Sequence, residues 1–376
     1  MISRPSDRPR VLHCIASMLG GGAERQLAYL TGGLTKIGWD VHVAIIQGGE
    51  NLPRLVANGA QVHRLPCSGN YDPRLPGRLF NVIRQVRPVA VQTWLPQMDI
   101  IGGAVCLASG TPWIVSERGS GFAYGARLKQ RVRRILGAHA DCVVANSTAG
   151  LDYWQTYRPT QSLAQRIIAN IVPLDEIDGM EPEVEQHGLV MDGPQWVVYV
   201  GRLEPVKNVR TLLRALELVV QNSKYKALIC GEGSLQLELA EYVRQRGLEQ
   251  SILVRGYLTR LWSVLKRCAV FVSLSNSEGS PNAVLEAMAC RCPIVVSDIP
   301  GHREILDDAC AEFVLGTSAE AAADAVLRVL KGAPEVFSRV SLARRRVVDC
   351  GAESIAAQYE AVYRLVAEHR SRLRVS

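Results

Sequence analysis

Short apolar runs alternate with longer amphipathic stretches along this chain, the alternation stops near residue 170, and then it begins again. Runs at 11–15, 41–46, 62–65, 89–93, 113–116, 142–145 and 166–169 read as strands, with helices at 23–36, 77–86, 98–108, 128–136 and 149–157. A strand that reaches the next one only through a helix pairs with it in parallel, and a parallel sheet needs helices on both faces. The rhythm therefore predicts a doubly wound sheet, which binds ligands at the carboxyl ends of its strands. Residues 175–195 are rich in Glu, Pro, Gly and Asp without periodicity, so a linker is expected there. The second series places strands at 196–200, 225–230, 252–255, 270–273, 294–297 and 312–314, and helices at 208–221, 233–246, 261–268, 284–290 and 318–331. A last amphipathic segment, 352–372, predicts one more helix.

A chain of 376 residues is long for one core and suits two domains. No apolar run approaches the roughly 20 residues that span a bilayer, and residues 1–10 lack an apolar signal core, so a soluble or peripheral protein is expected. Ten cysteines are scattered, and Cys290 and Cys292 form the only close pair, with no second pair to complete a zinc site. Reduced cysteines of a cytosolic protein are the expectation. The net charge of +7 is uneven: residues 1–170 carry about ten more cations than acids, which leaves the remainder slightly acidic.

The residues that carry chemistry follow predicted strands. Glu278 and Glu286 stand eight apart around a turn, Gly279-Ser280-Pro281-Asn282, that opens a helix at Ala283. Such a turn offers backbone N–H groups and the positive end of a helix dipole to an anion, and the two carboxylates accept hydroxyl hydrogen bonds beside it. A phosphate flanked in this way describes a nucleotide sugar. Gly201-Arg202, then Lys207, ends the first strand of the second series, where two cations neutralise much of a diphosphate. Gly231 and Gly256-Tyr257 follow two further strands. In the first series Gly20-Gly21-Gly22-Ala23-Glu24 is a glycine loop opening a helix, and its spacing does not fit the dinucleotide fingerprint G-x-G-x-x-G.

These motifs, in this order over nearly the whole chain, resemble the retaining glycosyltransferases of the family 4 type. The resemblance implies the GT-B fold, two Rossmann-like doubly wound domains facing across a cleft: 1–175 on the acceptor side, 176–354 for the nucleotide sugar, and a helix at 355–376 packing back on the first. It implies that Glu278 faces the donor sugar, with Arg202 and Lys207 on the diphosphate as catalytic cations. Glu286 then holds the ribose, Tyr257 packs near the base, and Gly201, Gly231, Gly279, Ser280, Pro281, Asn282 and Ala283 border the donor, with Gly21, Gly22 and Glu24 reaching it from the first domain. The implied reaction moves a hexosyl or N-acetylhexosaminyl group from a nucleotide diphosphate sugar, UDP before GDP, to a hydroxyl of a glycan or lipid-linked acceptor in cell-surface polysaccharide or glycolipid synthesis. No cofactor is expected, and no metal, because the chain has no Asp-x-Asp and the cations serve the diphosphate.

One departure stands out. Many family members carry a histidine after the fourth or fifth strand, whereas the corresponding stretches here, 92–99 and 116–120, contain none. Asp99, Glu117 and Arg118 become the acceptor-side candidates, and in a front-face retaining reaction the leaving phosphate oxygen itself takes the acceptor's proton. Arg127, Lys129, Arg131, Arg133 and Arg134 crowd one predicted helix, which reads as a solvated basic face or as a patch for an anionic membrane at the inner face of the cell membrane. Nucleic acid is disfavoured, since the basic residues are not interleaved with aromatics. A GT-B-type epimerase or hydrolase of the nucleotide sugar, or an inactive nucleotide-sugar-binding subunit, are the alternative readings.

Overall fold

The computed structural model describes residues 8–69, 72–119, 128–155, 164–182, 196–316, 318–332 and 334–375, and of 185–186, 189–190 and 373–375 the backbone alone. Its first strands and helices are β1 (Arg10–Ser17), α1 (Gly22–Lys36), β2 (Asp40–Gln47), α2 (Leu52–Ala57), β3 (Gln61–Arg64), α3 (Leu75–Val86), β4 (Ala90–Trp94), α4 (Leu95–Ser109), β5 (Trp113–Glu117), α5 (Leu128–Gly137), β6 (Cys142–Ala145), α6 (Thr148–Gln155) and β7 (Ala164–Ile167). Then come α7 (Leu174–Gly179), a two-stranded β8 (Glu185–Gln186) and β9 (Leu189–Val190), β10 (Trp196–Val200), α8 (Val209–Gln221), β11 (Lys226–Cys230), α9 (Gln236–Gln245), β12 (Ile252–Arg255), α10 (Leu261–Leu265), β13 (Val270–Ser273), α11 (Asn282–Ala289), β14 (Ile294–Ser297), α12 (Pro300–Arg303), β15 (Glu312–Val314), α13 (Ala319–Leu330), α14 (Pro334–Arg346) and α15 (Ala352–Val375).

The chain divides into two compact units, residues 1–171 with 350–376, and 172–349. In the first, seven parallel strands run in the order β3-β2-β1-β4-β5-β6-β7. Alternate residues of β1 serve opposite faces, as the pleat requires. Val11 and Ile15 enter a core with Leu27, Leu30 and Leu34 of α1 and with Ile355, Tyr359, Val362 and Tyr363 of α15. Leu12 and Cys14 enter another with Leu79, Ile83, Met98 and Trp113. Gly33 of α1 is what lets α15 close in, since a Cβ there stands 2.3 Å from the Ala352 carbonyl oxygen. In the second unit six parallel strands run β12-β11-β10-β13-β14-β15, with Val197, Tyr199, Ile229 and Val272 packed under α8 and α13.

The expected strands are present within one or two residues. The largest shift is that of the last of the first series, expected at 166–169 and found at Ala164–Ile167. The elements that escaped the periodic pattern are α2, which is six residues long, α7, β8 and β9 at and inside the expected linker, the four-residue α12, and α14, whose mixture of cations and apolar residues buries only Ala343.

The first unit also overturns three readings of its charges. Arg133 is not on a basic surface: its side chain is fully buried, its Nε donating to Asp99 at 2.7 Å and its Nη1 lying 2.9 Å from Glu117. Asp99 and Glu117 are therefore interior partners of that guanidinium rather than acceptor-side groups. Asp99 also accepts from Thr93 Oγ1 at 2.6 Å, and Glu117 accepts from the Trp154 indole at 2.9 Å and the Gly119 amide at 2.9 Å. Burial pushes the Asp99 carboxyl upward, and the Arg133 charge opposes it. Arg127 lies outside the described residues.

Removing the guanidinium leaves two carboxylates buried without their counter-charge, so Arg133→Met is expected to lower stability by about 3–5 kcal/mol, measured by urea unfolding. A titrating effect is expected at His13, which is fully buried, accepts the Trp94 indole N–H on Nδ1 at 3.1 Å, and has its pKa lowered from 6.5 to about 3, mainly by burial. Its folded value lies below its unfolded one, so stability is intact above pH 6.5 and falls with acid between about 6.5 and 3, by up to about 1.4 kcal/mol per pH unit. His13→Asn should flatten that slope in unfolding series across this window.

Candidate functional site

In the second unit the strand order reverses between β10 and β13, neighbours on the sheet whose outgoing chains leave in opposite directions. A crevice at the carboxyl ends is the place this topology offers a ligand. The chain leaving β10 runs through Gly201, Arg202 and a 3-10 turn, Pro205–Lys207, before Asn208 takes a left-handed φ of 52° and starts α8. The chain leaving β13 runs through Ser275 and Glu278 into α11. Gly201 and Gly231 touch backbone to backbone: a Cβ on Gly231, whose φ is 144°, stands 1.9 Å from the Gly201 carbonyl oxygen. The Gly201 amide donates to the Cys230 carbonyl and the Leu203 amide to that of Glu232, so both glycine turns are held as one layer.

On this frame Lys207 and Glu278 meet. The ammonium lies 2.6 Å from both carboxylate oxygens, and Ser275 Oγ donates to one of them at 2.6 Å. Lys207 is 18% exposed and Glu278 9%, so the pair is shielded from bulk water. Arg202 is exposed at the mouth, where its side chain makes no hydrogen bond or ion pair with the described residues, while its carbonyl accepts from the Tyr199 hydroxyl at 3.1 Å. Glu286, one turn into α11, is buried and accepts the Trp262 indole N–H at 2.9 Å. Tyr257 is 67% exposed on the loop after β12. Gly279, Ser280 and Pro281 form the turn before α11, with Pro281 at its N-cap and Asn282 and Ala283 in its first turn. The helix thus opens with the amide donors and positive dipole end that suit an anion.

Three contributors were not singled out from sequence. Trp262 fixes the Glu286 carboxylate, and nothing in its sequence spacing marks that role. Ser275 fixes Glu278 and sits in a Ser-rich stretch with no signal of its own. His302 is fully buried behind the pair, its Nδ1 2.9 Å from the Ser297 carbonyl. Burial lowers its pKa, which holds the ring neutral near Glu278 and Lys207. Its neighbour Gly301 backs directly on the Glu278 backbone, where a Cβ stands 2.5 Å from the carbonyl oxygen.

The first unit has its own switch point, between β1 and β4. Gly21 is the N-cap of α1 and Gly22 its first residue. Glu24 folds over this loop: its Oε2 lies 2.2 Å from where a Gly21 Cβ would stand, and its Oε1 3.4 Å from Ser17 Oγ. A carboxylate, its pKa raised by burial, thus already occupies the helix N-terminus that the glycines open. After β4 the chain turns through Leu95 at a φ of 68°, an uncommon conformation for a branched side chain. Arg118 lies over the Trp94 ring, 4.4 Å from its centroid, and donates to Asn170 at 3.1 Å and to the Tyr359 hydroxyl of α15. Of the three acceptor-side candidates, Arg118 alone keeps partial exposure.

Comparison with known proteins agrees with this architecture. A family model described as glycosyl transferases group 1 matches residues 181–344, and a glycosyl transferase 4-like domain model matches residues 21–169. The chain is 29% identical over 176 residues, 46% of each protein, to a Campylobacter jejuni N-acetylgalactosamine-N,N'-diacetylbacillosaminyl-diphospho-undecaprenol 4-alpha-N-acetylgalactosaminyltransferase. Three curated relatives, this one included, are matched over 46%, 42% and 23% of their own lengths. A GalNAc-alpha-(1->4)-GalNAc-alpha-(1->3)-diNAcBac-PP-undecaprenol alpha-1,4-N-acetyl-D-galactosaminyltransferase of the same organism is 23% identical, over 80% of this chain and 82% of that one. The crystal structure of Anabaena HepE with UDP and glucose superposes with a TM-score of 0.82 at 16% identity, covering 94% of this chain and 99% of that one. The likeness identifies the fold of the two units as GT-B.

Because the two glycine turns hold the mouth of the second unit, Gly231→Ala is expected to lower stability by on the order of 1–3 kcal/mol. Gly179→Ala, where an added Cβ meets nothing within 4 Å, should stay within about 0.5 kcal/mol of the parent in the same thermal melts.

Proposed function

Since the chain belongs to the group 1 glycosyltransferases of the family 4 type, we propose that it transfers a sugar from a nucleotide diphosphate donor, UDP-linked before GDP-linked, to a hydroxyl of a lipid-linked or glycan acceptor, with retention of configuration. The observation that carries this reading is the arrangement at the second unit's switch point. There an exposed guanidinium, a shielded Lys–Glu pair and a helix N-terminus gather beside a second carboxylate that an indole holds in place.

Each group has a task in that reading. Arg202 and the first turn of α11 meet the diphosphate, and Lys207 reaches it with the ammonium hydrogens not turned to Glu278. These charges act most strongly on the leaving diphosphate, whose negative charge grows as the bond between the anomeric carbon and the phosphate oxygen breaks. The acceptor oxygen bonds to that carbon from the same face, and its proton passes to the departing phosphate oxygen. No protein base is needed for that transfer, consistent with the absence of histidine in 92–99 and 116–120 and with the structural employment of Asp99 and Glu117. Glu278 accepts from the sugar's hydroxyls, Glu286 from the ribose, and Tyr257 offers its ring to the base. The cations make a metal unnecessary, so chelator should leave the rate unchanged.

A lipid-linked acceptor is favoured because the Campylobacter relatives are named for undecaprenol-linked substrates, and UDP because HepE binds it. Such an acceptor brings the protein to the inner face of the cell membrane as a peripheral enzyme. Among the described residues no helix is long and apolar enough to cross a membrane.

A thermal-shift panel of UDP, GDP, ADP and CMP with their sugar conjugates tests the reading. A nucleotide at about 100 times its Kd adds roughly 2.7 kcal/mol, a shift of a few degrees. The expected result is a shift with UDP and UDP-sugars that Arg202→Ala and Glu286→Ala abolish, followed by sugar transfer to an undecaprenyl-diphosphate glycan. No shift with any nucleotide overturns it.

A further inference from the structure

Helix α5 is turned the wrong way round for a surface helix. Its residues Gln130, Arg133 and Gly137 are buried, whereas Leu128 is 75% exposed, Ile135 58% and Val132 36%. At 100° per residue the three apolar side chains fall within about 60° of one another, directly opposite the buried face. Lys129 and Arg131, both exposed, flank them on either side, Arg134 stands half-buried beyond, and residues 128–137 contain no acid. A surface helix ordinarily does the reverse, placing its apolar stripe inward and its charges outward. The cause of the inversion is the ion cluster already described. With Arg133 bound to Asp99 and Glu117, the helix cannot roll to bury Leu128, Val132 and Ile135 without withdrawing the guanidinium and stranding two carboxylates in the interior.

Locking a charge inside to hold an apolar crest outside destabilises an isolated molecule, and an exposed apolar stripe bordered by cations points to what covers it. We propose that α5 is an interfacial helix. Its Leu128-Val132-Ile135 crest enters the boundary between headgroups and acyl chains of an anionic bilayer, while Lys129, Arg131 and Arg134 meet the lipid phosphates. The charge pattern selects a membrane over a protein groove: the cations lie on both flanks of the crest, where a continuous anionic plane reaches them together. The excess of cations in residues 1–170 adds long-range attraction of the same sign. This gives the peripheral enzyme of the preceding reading a specific contact, and it does not require that reading to hold.

Co-sedimentation with vesicles of phosphatidylcholine, with and without phosphatidylglycerol, tests it. The full chain is expected to partition at least about tenfold more strongly onto the phosphatidylglycerol vesicles, in a salt-sensitive manner. The triple variant Leu128→Gln, Val132→Gln, Ile135→Gln and the double variant Lys129→Gln, Arg131→Gln should each lose about tenfold. Both alter exposed side chains only, so unchanged melting and an unchanged UDP shift certify that they are folded. Failure of the parent to bind either vesicle, or binding by the triple variant equal to the parent, overturns the proposal. So does loss of self-association or of a co-purifying protein in the triple variant with vesicle binding intact, which makes the crest a protein interface. A missing UDP shift in the parent, by contrast, counts against the donor reading and leaves this one standing.

Discussion

Parallel strands cannot be joined by tight turns, and most of what this molecule does follows from that constraint. Each strand must return through a helix, so both faces of each sheet are covered and the loops gather at the strands' ends. At the point where the helices change faces the covering parts, and polar groups there can approach a ligand without being buried by the next crossover. In the second unit that opening lies between β10 and β13, and Lys207 and Glu278 come from the two chains leaving it. Apolar burial builds the frame, and the polar residues occupy the one edge that the frame leaves open.

That division explains why two kinds of charge in the chain behave so differently. Lys207 and Glu278 are shielded but remain at an edge, where a ligand's own charge can enter the pairing. Arg133, Asp99 and Glu117 are sealed, and their pairing is satisfied by the fold itself through Thr93, Trp154 and the Gly119 amide. Burial alone does not separate the two sets; their position relative to the switch points does.

The sheets were legible in the sequence because strands buried on both faces are apolar runs, and 142–145, 196–200 and 252–255 are found with the ends they were expected to have. Glycine turns and strand-end cations were legible for the same reason, since they punctuate those runs. What periodicity does not carry is the third dimension. Arg133 belongs to a stretch of five cations in eight residues, and nothing in the spacing marks one of them as interior. Its partners lie 34 and 16 residues upstream, on α4 and β5. Trp262 was obscure likewise, because its role depends on a carboxylate 24 residues away. The short α2 and α7 lack the length that makes a period visible.

The return of α15 to the first unit has a consequence for the order in which the molecule is made. Ile355, Ala356, Tyr359, Val362, Tyr363 and Val366 complete the core on one face of the first sheet, yet they leave the ribosome after the whole of residues 172–349. The second unit has all of its strands earlier, so it can close while the first still exposes Leu27, Leu30 and the Gly33 groove along α1. Domains usually mature from the amino end during synthesis. Here the half that is begun first is finished last, and its unfilled apolar face is the surface that a nascent-chain chaperone would find.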